Sequence, residues 1–219
     1  MSVSDSLARR NFFKCAAGAS LALAGCKAAE KEETLQEVQK PKWALPEKNH
    51  VKREFDKVRS HKVIYVAHCI LNQNARIYQS ADFPAMFVPL IDWLKENNIG
   101  IIQMPCPELQ VLGLGRMTVR DGLETEEGHA HLHQLIDSLI YEIKEYRFQG
   151  FDVIGILGKQ GSPSCGVTRT WLDNRQQDGQ GVFIRLLKER LAEADLDIEV
   201  EGVADHEQEA AIEWMRERV

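Results

Sequence analysis

The 219-residue chain has few cysteines, no surplus of basic charge and no long apolar run, and each shortage excludes a class of protein. Five cysteines are too few for a disulfide-dense scaffold, so any cysteine chemistry lies in the placement of a few thiols. With 27 Lys and Arg against 33 Asp and Glu, the net charge of −6 offers no basic field to gather a phosphate backbone, and no nucleic acid partner is expected. No apolar stretch approaches the ~20 residues of a membrane-spanning helix. Internal repeats and low-complexity tracts are absent as well. What is present, 44% hydrophobic and 27% charged residues, is the composition of one ordinary globular domain.

Residues 1–25 read as an address. Ala8-Arg9-Arg10-Asn11-Phe12-Phe13-Lys14 sets two arginines before Phe-Phe, and the weakly apolar run from Cys15 to Gly25 follows. As a helix that run extends only about 17 Å against a hydrocarbon core of about 30 Å, so it suits a signal segment and not a span. It resembles a twin-arginine signal peptide, with Ala8 at the usual hydroxyl position and Phe13 at the usual Leu. Leu23-Ala24-Gly25-Cys26 resembles a lipobox, which implies that Cys26 becomes the lipid-modified first residue of a lipoprotein. The competing reading is an amphipathic N-terminal helix carrying a chance arginine pair. Cleavage before Cys26 removes three basic residues and one acidic residue, leaving 24 against 32 and a net charge of −8. The expected partners here are the twin-arginine translocase during export and membrane lipid through Cys26. The expected location is the cell envelope, membrane-anchored and facing the periplasm or exterior. Residues 26–60 continue as a charged tether, interrupted by Pro41 and Pro46, with Trp43 available to dock back on the domain.

From residue 61 to 219 the pattern becomes that of a single α/β domain. Lys62 to Cys69, Gly100 to Met104 and Asp152 to Leu157 are short β-branched runs, near-continuous as in strands covered on both faces. A fourth run, Asp197 to Val203, alternates more and fits an edge strand. Between and after them lie amphipathic segments: Phe83 to Asn97, Glu126 to Phe148, Gly181 to Ala194 and Glu207 to Arg218. Strands alternating with helices predict right-handed βαβ crossovers and a three-layer parallel sheet of about four strands, Rossmann-like or flavodoxin-like.

The domain keeps three cysteines, each near the end of a predicted strand: Cys69, Cys106 and Cys165. The carboxyl ends of the strands in an open parallel sheet form the ligand-binding edge. Neighbouring strands are only about 4.8 Å apart, so three thiols from three crossovers can meet there. Three thiolates suit a zinc ion with a fourth ligand, or an iron–sulfur cluster with one open iron. The plainer account is three small buried hydrophobes. Two local sequences favour a site. Pro105-Cys106-Pro107 cannot lie inside a strand, because each proline removes a ladder donor. Gly161-Ser162-Pro163-Ser164-Cys165-Gly166 is turn chemistry.

Cys69-Ile70-Leu71, Cys106-Pro107-Glu108, Ser162-Pro163-Ser164-Cys165-Gly166 and Gly179-Gln180-Gly181-Val182, in that order over residues 62–203, resemble motifs of the domain-of-unknown-function family 523, which includes the thiouracil desulfurases. The family's pattern after Cys-Leu-Leu is not kept: Asn72 stands for a Gly, Ala75 for a second Cys and Ile77 for a Tyr. The resemblance implies that Cys69, Cys106 and Cys165 hold a 4Fe-4S cluster, and that a small thiolated substrate loses its sulfur there by C–S bond hydrolysis. It makes Glu108 a candidate general acid/base, with Ser162 and Ser164 beside the cluster or substrate. Asn72, Arg76, Arg116 and Lys159 are candidates for orienting a polar heterocycle. By strand alternation His68 faces away from Cys69 as a packed histidine, a fourth-ligand role being the alternative. His129 and His133 share a helix face at i, i+4, but lack an obvious Glu or Cys partner and read as a solvated first turn. Two other functions remain open: a thiol enzyme with Cys165 as nucleophile, and a non-catalytic lipoprotein binding a metal or small ligand at the same edge.

Overall fold

The computed structural model describes residues 58–219; the expected signal segment, Cys26, Trp43 and the tether as far as residue 57 lie outside the described residues. Along the chain run β1 (Lys62–Val66), α1 (His68–Leu71), a 3-10 turn (Gln73–Ala75), α2 (Val88–Glu96), β2 (Gly100–Gln103), α3 (Pro107–Leu112), α4 (Arg120–Leu123), α5 (Glu126–Phe148), β3 (Asp152–Lys159), β4 (Arg169–Leu172), β5 (Arg175–Asp178), α6 (Val182–Glu193), β6 (Val200–Val203) and α7 (Gln208–Arg216).

The expected α/β fold with a four-stranded parallel sheet is present, in the order β2-β1-β3-β6. β3 is buried at every position after Asp152, which is why its run reads as continuously apolar: helices cover both of its faces. The chain starts at β1, moves outward to β2, then returns past β1 to β3 and on to β6. With right-handed crossovers this reversal sends the connecting helices to opposite faces. Accordingly α2 packs with α7, and α5 packs with α6. The reversal point lies between β1 and β3, and a crevice at the carboxyl ends of such strands is where open α/β sheets bind ligands. Among the described residues no helix is long and apolar enough to cross a membrane.

Several expected boundaries move. β1 stops at Val66, so Cys69 sits in α1 and not at a strand end. The Ala67 amide still donates to the Leu157 carbonyl across the sheet (2.8 Å), and the chain turns helical immediately after it. α2 begins at Val88 instead of Phe83. Pro89 has no amide proton to give, so it is accommodated only in a first turn, and Pro84 keeps Phe83 out of the helical region. The short helices α1, α3 and α4 and the antiparallel β4–β5 hairpin were not expected. β6 does form the sheet edge, and α5 spans the predicted residues.

Candidate functional site

Cys69, Cys106 and Cys165 all line one cleft of about 690 Å3 at the carboxyl edge of the sheet, a size ordinary for a small-molecule site. Each reaches it from a different crossover. Cys69 is the second residue of α1, directly after β1. Cys106 caps α3, its Sγ accepting from the Leu109 amide at 3.5 Å, with Pro107 as the first helical residue where no amide is needed. Cys165 lies in the loop after β3, its amide donating to Ser162 Oγ at 2.9 Å and its carbonyl accepting from the Lys159 amide at 2.9 Å.

That third loop is braced from two sides. Gln160 Oε1 accepts from three successive amides, Val167, Thr168 and Arg169, at 3.0–3.3 Å, and Gln160 Nε2 donates to Thr168 Oγ1 at 2.7 Å. The opening of α6 supplies the second brace: the Gly181, Val182 and Ile184 amides donate to the Gly166, Pro163 and Ser164 carbonyls. A Cβ at Gly181 would overlap the Ser164 carbonyl, so the glycine of the Gly-x-Gly-Val segment is a close-approach requirement.

The three thiols lie near enough to disfavour one another's ionisation. Burial pushes the Cys69 thiol up to about 12, helped by Cys106 and Glu108 and opposed by Lys159 and Arg76. Burial also raises Cys106, against the pull of the Leu109 amide, and raises Cys165 well above the ordinary thiol, helped by the charges of Cys69 and Cys106. Three neighbouring thiols raised in this way need a cation to become thiolates together. The raised value lends no support to a free Cys165 nucleophile, which is favoured by a lowered one. Among the described residues no group of three His, Cys, Asp or Glu is arranged to hold a metal ion. A tetrahedral zinc at about 2.3 Å from each sulfur would need sulfurs about 3.8 Å apart. The three thiols line the same cavity.

Glu108 stands at the wall between Cys106 and Cys165. Its Oε1 accepts from Ser164 Oγ (2.7 Å) and Ser162 Oγ (3.2 Å). Its Oε2 is gripped by Arg116 through Nε and Nη2, both at 2.9 Å. Arg116 also donates to the Ala75 carbonyl (2.8 Å) and the Gly113 carbonyl (3.2 Å), and only 2% of its side chain is exposed. Both carboxylate oxygens are thus occupied. Glu108 presents itself to the cleft through the serine hydroxyls, and Arg116 is committed to holding it.

The cleft carries a second charged cluster. Lys159 Nζ, almost fully buried, contacts Asp205 Oδ2 (2.7 Å) and the Gln160 carbonyl (2.6 Å), while Arg76 Nη1 reaches Asp205 Oδ1 (2.8 Å) and Asp82 (3.2 Å). Burial pushes the Asp205 carboxyl up, but the Lys159 hydrogen bond and the Lys159 and Arg76 charges outweigh it and hold the group below its ordinary value.

Cys69, Cys106, Cys165, Glu108, Ser162, Ser164, Arg76, Arg116 and Lys159 therefore line one cleft. Asn72 does not: its Oδ1 caps the 3-10 turn, accepting from the Asn74 amide at 3.1 Å. His68 lines the cleft beside Cys69, contrary to the face predicted by strand alternation, because both belong to a helix; burial holds its imidazole below the ordinary value. His129 does have a carboxylate partner, Glu124 at 3.0 Å, overlooked because it precedes the helix cap Thr125; Glu124 also pairs with Arg120 and Arg185. The sequence reading missed Asp205, Gln160 and Trp171. Asp205 and Gln160 lie at or just past strand ends, where the positional argument that found the cysteines applies to them equally.

No family model matches the chain. A solved structure of a 4Fe-4S-dependent thiouracil desulfidase aligns at a TM-score of 0.42 and 21% identity, covering 69% of this chain and 97% of that one. An uncharacterized protein of Methanocaldococcus jannaschii is 30% identical over 111 residues, which span 50% of this chain and 70% of that protein. By that identity over that much of its length, the chain belongs to the same family as the Methanocaldococcus jannaschii protein.

Proposed function

We propose that the chain is an iron–sulfur desulfurase of the domain-of-unknown-function 523 type, exchanging the sulfur of a small thiocarbonyl compound for the oxygen of water and releasing hydrogen sulfide. The observation that carries this reading is the convergence of three thiols from three separate crossovers on one cleft that also holds a serine-bound carboxylate. The motif resemblance over residues 62–203 supports it independently. Cys69, Cys106 and Cys165 are the residues that would hold a 4Fe-4S cluster. Bound there, the cluster supplies an iron lacking a protein ligand, a soft Lewis acid matched to a thiocarbonyl sulfur.

The chain's own residues supply the proton chemistry. Hydrolysis of C=S consumes a water and must move its protons to the departing sulfur. Ser162 and Ser164 line the cleft with their hydroxyls 3.1 Å apart, and both are bonded to Glu108 Oε1. Ser162 Oγ already accepts from the Ser164 and Cys165 amides, so Ser164 Oγ is the hydroxyl with a lone pair left to accept from water while it donates to Glu108. Glu108 then takes the proton at Oε1 through a serine, while Arg116 keeps the carboxylate in place. Lys159 and Arg76 set the polarity of the cleft at the second charged cluster.

The test is anaerobic purification followed by metal and sulfide analysis and a sulfide-release assay with 2-thiouracil. About four irons and about four sulfides per chain, with sulfide released from the substrate, are expected. A colourless chain that carries stoichiometric zinc, or none of these, would falsify the assignment.

The N-terminal reading is proposed with it: twin-arginine export of the folded chain, then lipid attachment at Cys26 and anchoring to the membrane facing the periplasm or exterior. Two or three acyl chains hold a protein stably where one holds it marginally. Full-length protein is expected in the membrane fraction after a salt wash, and Cys26→Ala protein in the soluble fraction. Sedimentation of both with membranes defeats the anchor.

A further inference from the structure

The mouth of the cleft is built from a wall that the proposed chemistry does not use. β4 and β5 join through Asp173-Asn174, whose φ values of 53° and 58° are both positive, as a two-residue type I′ hairpin requires. Such a hairpin is a rigid ribbon, and this one is fastened to the cysteine loop. Thr170 Oγ1 donates to the Ser162 carbonyl (3.1 Å), the Gly161 amide donates to the Arg169 carbonyl (2.9 Å), and Arg120 Nη1 reaches Thr170 Oγ1 (3.4 Å). Thr170 is buried by these contacts. Its neighbour Trp171 points to the other side of the ribbon by strand alternation, lines the cleft, and remains 49% exposed.

An indole left half in water is unusual among the described tryptophans. Trp93 and Trp214 both pack on the hydrophobic core, whereas Trp171 does not. Met117 lines the same cleft and is 89% exposed. The inner end of the cleft is thus polar and thiol-bearing, while its rim offers a flat aromatic face on a fixed support and a flexible thioether. A ligand that fits both ends has a soft sulfur to point inward and a flat conjugated body to lie against the indole.

We propose that Trp171 is a specificity-determining residue of this cleft, stacking on the face of a conjugated ring and thereby selecting cyclic thiocarbonyl compounds over open-chain thioamides. The inference deepens the reading above but is tested by binding, so the two fail separately.

The experiment is equilibrium dialysis of anaerobically purified full-length protein against uracil and acetamide, the ring and open-chain oxygen counterparts that carry no sulfur to remove, for wild type, Trp171→Ala and Trp171→Phe. Base–aromatic stacking contributes enough that its loss is read as about tenfold or more in affinity. Wild type is expected to favour uracil by at least about tenfold, Trp171→Ala to lose that preference through weaker ring binding alone, and Trp171→Phe to keep most of it. The phenylalanine variant separates stacking from a disturbed hairpin. A preference unchanged in Trp171→Ala overturns the assignment, as does a wild type with no preference or no measurable binding. Ring binding that depends on Trp171 without any sulfide release upholds this inference and defeats the desulfurase reading.

Discussion

Cys69→Ser, Cys106→Ser and Cys165→Ser proteins are each expected to come through anaerobic purification without the brown chromophore, stripped of most of their iron and inactive in sulfide release. The three thiols lie in one cleft and come from three separate crossovers, each with a single cysteine, so no segment can supply a replacement ligand when its neighbour loses one. Serine is nearly isosteric and leaves the local backbone bonds intact, including the Cys165 amide to Ser162 Oγ and the α3 amides beyond Cys106. Far-ultraviolet circular dichroism of the variants is therefore expected to match wild type, which separates ligand loss from unfolding. Cys165 is the most exacting case, because it also borders the hydrophobic core and would pass for a packing residue. Under the packing account Cys165→Ser costs some stability and leaves iron binding unchanged. A full complement of iron in any one of the three variants removes that residue from the ligand set.

The parts of the fold that were legible in the sequence are those that burial dictates. β3 is covered on both faces, and its uninterrupted run from Val153 through Leu157 says so. α5 keeps Leu132, Ile136, Leu139, Ile140 and Ile143 on one buried face, a spacing only a helix satisfies. What was hidden has equally physical reasons. The run from Val66 to Leu71 is apolar except for His68 while the backbone changes from strand to helix, so hydrophobicity alone cannot mark where Cys69 sits. The β4–β5 hairpin is mostly polar and half exposed, because it covers a cleft and not a core. Its one signal is Asp-Asn at the turn, weaker than the Asn-Gly or Asp-Gly that usually marks such a loop. At the site, residue chemistry placed the thiols, Glu108 and the two serines in the same neighbourhood but could not assign their partners. Arg116 is eight residues past Glu108 and reads as a free cation; only the fold shows that three backbone and side-chain groups already claim it.

Those partners make Arg116 a residue whose loss should cost the domain much of its stability. Arg116→Met leaves the Glu108 carboxylate walled in, with side-chain exposure of 11% and only the two serine hydroxyls to solvate it. Breaking a buried pair in this way costs about 3–5 kcal/mol. For a domain of this size that lowers the melting temperature by roughly 10 °C, at about 2–4 °C per kcal/mol. Glu108→Gln combined with Arg116→Met removes both charges and is expected to recover much of the loss, because the penalty belongs to the stranded carboxylate. Activity should not follow stability. The double variant and Glu108→Gln alone are both expected to lose about 10²–10⁴-fold in sulfide release, since neither retains a base behind Ser162 and Ser164. Arg116→Lys keeps the charge but not the paired contact on Oε2, and falls between the two. If the double variant is instead as unstable as Arg116→Met, the guanidinium is stabilising the domain through the Ala75 and Gly113 carbonyls, and Glu108 owes its position to the serines alone.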